Sequence, residues 1–245
     1  MDRQTSDPVT QPPFAGFGPG ALTFLAALGA QQNREWFLAN RETYERDVRG
    51  PLAALVEALA FAFAAHDVPL TGNAKRSLFR INRDVRFSKD KNPYKTNAGA
   101  VMTRDGSKGA PGLLYVQIGG GEGSFMGVGF HGLEPTDLAA MRHAIAASPA
   151  GWLSVEAGLA DAHLAFSMGQ ALARLPKGFE AHAHSPVAPA LKLRNLIVSR
   201  SIPGERLAHA DLVADIVHFT VAALPLLKYG WSAIDRARGR DQATR

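Results

Sequence analysis

Residues 113–130 read L-L-Y-V-Q-I-G-G-G-E-G-S-F-M-G-V-G-F, two apolar runs separated by glycines. Short apolar runs with aromatic and β-branched members predict strands over Leu113 to Ile118 and Ser124 to Phe130. Between them, Gly119-Gly120-Gly121-Glu122-Gly123 supplies positive φ angles at no steric cost and predicts a hairpin connection. A phosphate-cradling loop would need a helix after the glycines, whereas Ser124 to Phe130 is strand-like. Upstream, Leu78 to Ile81 and Ala98 to Thr103 are further strand candidates, so the expected sheet is antiparallel.

Helical periodicity flanks this block on both sides. Phe24, Leu25 and Leu28 predict a helix over Ala21 to Leu28, with Gly29 as its stop. Asn33 offers an N-cap to a second helix with Trp36, Phe37, Tyr44 and Val48 on one face, and Gly50-Pro51 punctuates its end. Pro51 opens a third helix, where Leu52, Leu55, Val56, Leu59 and Phe63 repeat at helical spacing. Downstream, helices are expected from Pro135 to Ser148, within Trp152 to Phe166, and from Leu207 to Leu224 before Pro225. Leu175 to Phe179 is a turn, and Val187 to Arg200 mixes a helical beginning with the β-branched pair Ile197-Val198. The fold class is therefore α+β: N-terminal helices, a central mainly antiparallel sheet and C-terminal helices. Residues 1–18 are expected to form a flexible arm, 19–230 a single domain, and 231–245 a frayed tail.

A chain of 245 residues with 46% hydrophobic content can bury a substantial core. No run approaches the roughly 18 to 20 apolar residues of a membrane span, and Met1 to Phe14 lacks an apolar signal region. A cytoplasmic protein without membrane partners is expected. The absence of cysteine excludes disulfides, thiolate catalysis and cysteine zinc sites. No nucleotide-loop, dinucleotide-binding or hydrolase-elbow motif occurs, so no cofactor is expected. His182 and His184 have metal-ligand spacing without a third ligand nearby, so no metal is assigned.

The net charge of +5 is unevenly spread. From Lys75 to Lys95, eight basic residues face two acidic ones, so this segment carries +6 and the remainder about −1. Residues 80–96 read R-I-N-R-D-V-R-F-S-K-D-K-N-P-Y-K-T. If Arg80 to Phe87 is extended, period-two alternation puts Arg80, Asn82, Asp84 and Arg86 on one face. Arg80 and Arg86, with Asp84 between them, could then present a planar array to a phosphate or carboxylate. Ser88 to Pro93 has loop chemistry and would project Lys89 and Lys91, with Asp90 supporting the turn, while Tyr94 supplies a hydroxyl or a stacking ring. For Asp84 the preferred reading is a structural one, as partner to the cations around it. A nuclease-like reading of Asp84, Asp90 and Lys91 is weak, because the surrounding cations oppose a divalent metal.

Three segments together carry a resemblance: Phe24 to Glu45 with its N-R-E-W-F, Arg83 to Thr96 with R-D-V-R-F-S-K-D-K-N-P-Y-K-T, and L-P-K-G-F at Leu175 to Phe179. They resemble the bacterial family catalogued as domain of unknown function 2461, over most of Ala21 to Leu227. The resemblance brings no activity with it. It does emphasise Asn33 to Phe37, the Arg83 to Lys95 motif and Pro176 to Phe179, and it leaves His131, His182 and His184 outside every motif.

The charge concentration leads to the expectation of an enzyme or sensor for a small phosphorylated or polycarboxylated ligand. Arg80, Arg83, Arg86, Lys89, Lys91 and Lys95 would clamp it, with Asp84, Ser88, Asp90 and Tyr94 in support. A nucleic-acid module using the same patch, with Tyr94 stacked on a base, is the alternative. A third reading makes the motif an internal ion-pair network. Catalytic residues, reaction and oligomeric state are left open.

Overall fold

The structure, a computed structural model, describes residues 14–86, 91–167 and 171–243, with side chains up to 239. At its centre are β1 (Asn97–Thr103), β2 (Leu113–Gly119), β3 (Phe125–Phe130) and β4 (Leu196–Ser201), all antiparallel in the order β1-β2-β3-β4. The β2–β3 connection is the predicted glycine hairpin. Gly119, Gly120 and Gly123 take φ of +73°, +92° and +76°, where a Cβ would be strained. Gln117 Nε2 donates to the carbonyls of Gly119 and Gly123, and the Gly119 N–H donates to Ser124 Oγ.

The N-terminal layer comprises α1 (Gly20–Ala30), α2 (Arg34–Ala39), α3 (Arg41–Thr43), a π-helical turn (Tyr44–Arg49), α4 (Gly50–Ala65) and α5 (Ala74–Ser77). After β3 come α6 (Pro135–Ala147), α7 (Pro149–Asp161), α8 (Ala188–Lys192), α9 (Gly204–Leu207) and α10 (Leu212–Ala243). The class is α+β, with helices at both ends of the sheet.

Alternation along the strands gives the sheet two different faces. Ala98, Ala100, Met102, Leu114, Val116, Ile118, Met126, Val128, Phe130, Leu196 and Val198 are buried, within a core shared with α4 and α10. Leu52, Leu55, Val56 and Leu59 of α4 meet Ala100, Met102, Leu114 and Val116 of the sheet. The other face carries Val101, Leu113, Tyr115, Gln117, Phe125, Gly127, Ile197, Ser199 and Ser201. Much of it lines a groove instead of packing against a helix.

Several expectations need correction. Gly50-Pro51 does not separate two helices: the π-helical turn runs straight into α4, with the Gly50 N–H on the Glu45 carbonyl. A Cβ at Gly50 would stand 2.8 Å from that carbonyl oxygen, so glycine is what allows the widened turn. The last helix does not stop at Pro225 but continues to Ala243, so the described part of the predicted frayed tail, 231–243, is helical. Proline there removes the N–H that would bond the Val221 carbonyl, and both residues are exposed, so water can satisfy that oxygen. The tail is pinned by Arg104 on Asp235 and by Arg238 on the buried Asp137.

Leu78 to Ile81 forms an isolated bridge, Leu78 to Ala100, and not a full strand. Of the predicted arm, Phe14 and Phe17 are buried and the Phe17 N–H donates to the Leu207 carbonyl; residues 1–13 lie outside the described residues. Two helical stretches, Arg41–Ala65 and Leu212–Gly239, are long and apolar enough to cross a membrane by length and composition. Here both contribute buried residues to the core beneath the sheet.

Candidate functional site

The basic segment folds back on itself beside β1. The Phe79 N–H donates to the Gly99 carbonyl, the Arg83 N–H to Pro93 and the Lys95 N–H to Ile81, and Asn82 bridges Tyr94. Residues 78–83 and 93–95 thus make a narrow antiparallel excursion from the sheet edge. Period-two alternation holds within it: Ile81 is buried while Arg80, Asn82, Asp84 and Arg86 are exposed.

What that exposed face does differs from the expected array. Asp84 takes Arg86 in a bidentate grip, Nε to Oδ1 at 3.0 Å and Nη2 to Oδ2 at 2.7 Å, and also accepts the Arg86 N–H. These bonds hold the Asp84 carboxyl below its ordinary range, with Arg80 contributing only through its charge. Arg80 and Arg86 therefore do not share a planar anion seat; Asp84 occupies Arg86. Lys91 is exposed, and its Nζ donates to the Val85 carbonyl at 3.0 Å. Ser88, Lys89 and Asp90 lie outside the described residues. Among the described residues, no group of His, Asp and Glu could hold a metal ion.

Tyr94 is not a surface ring. It is 4% exposed and stacks on Phe37 at 4.6 Å, and its N–H donates to Gln32 Oε1. Asn33 caps α2 by accepting the Trp36 N–H at 2.8 Å, which presents Trp36 to Phe24 and Phe37 to Tyr44 and Tyr94. The first motif therefore grips the base of the second. In the third motif, Gly178 at φ +90° turns the chain and Phe179 is buried against His143.

Among the described cations of the segment, Arg83 and Lys95 reach inward. Lys95 is half-buried, with Nζ 5.4 Å from the centroid of the Phe79 ring. Lys108, from the β1–β2 connection, comes within 4.8 Å of the same ring and donates to the Leu78 carbonyl. Burial lowers the pKa of both lysines, and Arg80, Lys108 and Arg83 lower that of Lys95 further. Among the described residues, no ion pair joins a carboxylate to Arg80, Lys95 or Lys108. Arg83 sits behind them with Nη2 3.5 Å from the Tyr94 carbonyl. Two ammonium groups thus share one aromatic ring, with the charges of Arg80 and Arg83 acting on Lys95.

Phe79 is also one wall of the groove on the open sheet face, about 820 Å³ in volume. Its floor is set by strand register: Val101 opposite Tyr115, Tyr115 opposite Gly127, and Gly127 opposite Ser199. Tyr115 lies between Phe79 and Phe125, with ring centroids at 6.0 and 5.8 Å. Its hydroxyl passes over Gly99, where a Cβ would stand 2.7 Å away. Burial raises the Tyr115 hydroxyl pKa, which keeps it a neutral donor, and it bonds Gln117 Oε1. Glu122, Lys108, His131, Ser199 and Ser201 supply polar groups to the same groove.

The sequence reading named Arg80, Arg83 and Lys95 as candidates, and did not name Lys108 or the rings of Phe79, Tyr115 and Phe125 that line the groove. A signal was present in the alternation of 113–117 and 125–129, where one set is continuous apolar core and the other mixes Tyr, Gln, Phe and Gly.

A family model described as a conserved hypothetical protein, domain of unknown function 2461, matches residues 20–229. No curated protein and no solved structure matches the chain.

Proposed function

We propose, for a chain that belongs to the domain of unknown function 2461 family of conserved hypothetical proteins, that it binds a small phosphorylated or polycarboxylated ligand. The seat is the cluster of Arg80, Arg83, Lys95 and Lys108 beside Phe79. One observation carries this reading: Arg80, Lys95 and Lys108 have no carboxylate partner among the described residues, and the charges of Arg80, Lys108 and Arg83 lower the pKa of the half-buried Lys95. Gathering like charges around the half-buried Lys95 costs free energy, and a bound polyanion turns that repulsion into attraction. Arginine contributes a bidentate fork and lysine a point charge, so both phosphate and carboxylate fit the set. A nucleic-acid strand would use the same cations, but Tyr94, the ring expected to stack on a base, is turned into the core. The small ligand is therefore preferred.

Calorimetric titration with inorganic pyrophosphate and with citrate tests the assignment. Wild type is expected to bind at least one of them, and Lys108→Ala to weaken that binding about tenfold, the loss of one charge-assisted contact. Equal affinity of Lys108→Ala and wild type, or no binding of either anion, would count against it.

A further inference from the structure

We infer that the groove on the open sheet face seats an aromatic ring, so that the ligand is an aromatic phosphate of the size of a nucleoside monophosphate. This rests on the anion seat proposed above and extends it. Of the four cations Lys108 alone lines the groove, at the Phe79 wall, and the groove volume of about 820 Å³ is far more than a phosphate fills. Three rings, Phe79, Tyr115 and Phe125, follow one another along it at centroid spacings of 6.0 and 5.8 Å. Next to them Gly127 presents no side chain, which leaves a shelf between Tyr115 and Ser199 that the Ile197 side chain flanks. A planar ring laid on that shelf meets the Tyr115 and Phe125 side chains, a contact that tolerates many ring types.

Phe79 links the two halves of the site. Its ring lines the groove, while the Lys95 and Lys108 ammonium groups stand 5.4 and 4.8 Å from its centroid. A phosphate on those ammonium groups is therefore next to the ring seat and not across the molecule from it. The remaining groove lining favours a ligand that also carries hydroxyl or amino donors. Glu122 offers a carboxylate, which repels a second anionic group and accepts from a sugar hydroxyl, and the Ser199 and Ser201 hydroxyls can donate or accept.

The test uses the full chain and four probes: adenosine monophosphate, adenosine, inorganic phosphate and a single-stranded oligonucleotide. Gly127→Val fills the shelf without touching a charge. A Cβ there meets nothing nearer than the Ile197 Cδ1 at 3.3 Å, the end of a side chain that can shift, and a β-branched residue suits a strand. Adenosine monophosphate is expected to bind at least about tenfold more tightly than inorganic phosphate, the factor that one stacked ring supplies. Gly127→Val should erase that advantage and leave phosphate affinity within about twofold. Tyr115→Leu, which removes a ring without adding bulk, should do the same and covers the case in which Gly127→Val fails to fold.

Adenosine monophosphate binding no more tightly than phosphate overturns the ring seat while leaving the anion seat standing. So does an advantage that survives both substitutions in folded protein. Adenosine binding as tightly as its phosphate also overturns it, because the cations would then play no part. Tighter binding of the oligonucleotide, with a steep salt dependence, reassigns the face to a strand. Failure of phosphate and adenosine monophosphate alike overturns the anion seat itself.

Discussion

Lys95 lies half-buried over Phe79 with Arg80, Lys108 and Arg83 around it, and its pKa is lowered, first by burial and then by those three charges. Its folded value thus falls below the ordinary 10.5, so between the two the unfolded chain binds more protons. Stability then rises with pH across that window, and the penalty is present in full below it. Lys95→Met is therefore expected to melt no lower than wild type at neutral pH while binding pyrophosphate at least about tenfold more weakly. Thermal unfolding beside calorimetry checks both halves; a destabilised variant with intact affinity would contradict this role for Lys95. Anion binding favours the charged lysine, so affinity should fall as pH climbs through the lowered pKa, with proton uptake on binding in that range. A flat profile in calorimetry run in buffers of different ionisation enthalpy would argue against Lys95 as a contact. Asp84 differs in kind: its partner Arg86 is 76% exposed, and the pair lies on the surface. Asp84→Ala should leave the midpoint of urea unfolding unchanged, and a large drop would favour an internal ion-pair network instead.

At the scale of elements, local rules read well where an element is held by its own sequence and poorly where a distant partner holds it. The glycine run between β2 and β3 and the Asn33 cap of α2 follow from residues within a few positions of one another. The far end of α10 does not. Pro225 and the charged tail are local stop signals, yet Asp235 pairs with Arg104 and Arg238 with Asp137, partners 131 and 101 residues away. No window along the chain contains both members. Asp137 is 5% exposed, so Arg238→Ala would leave a buried carboxylate without its bidentate partner. A loss of about 1–3 kcal/mol in urea unfolding is expected. Arg104→Ala, whose pair with Asp235 is 40% and 48% exposed, should cost less, about 0–1 kcal/mol. Equal losses for the two variants would mean that the helix end is held by something other than the Asp137 pair.

For the molecule as a whole, the sheet separates two tasks. One face binds α4 and α10 into the core, and the other carries the groove beside the basic excursion. The charge concentration was legible in residues 75–95, and so was the extended alternation that exposes Arg80. The groove was not legible, because Tyr115, Gly127 and Ser199 become neighbours only through the register of three strands, and Lys108 joins them from a separate connection. Tyr94 misled for a related reason: a tyrosine among lysines reads as exposed until Phe37, from another motif, is found stacked on it. If the proposed anion seat and the open sheet face are one site, a single ligand must touch both. Backbone amide shift mapping by NMR during a titration with adenosine monophosphate decides this. Changes are expected to concentrate at Phe79, Lys95, Val101, Lys108, Tyr115, Gly127 and Ser199. Changes confined to the α4 and α10 side of the sheet, or none at saturating ligand, would refute a shared site.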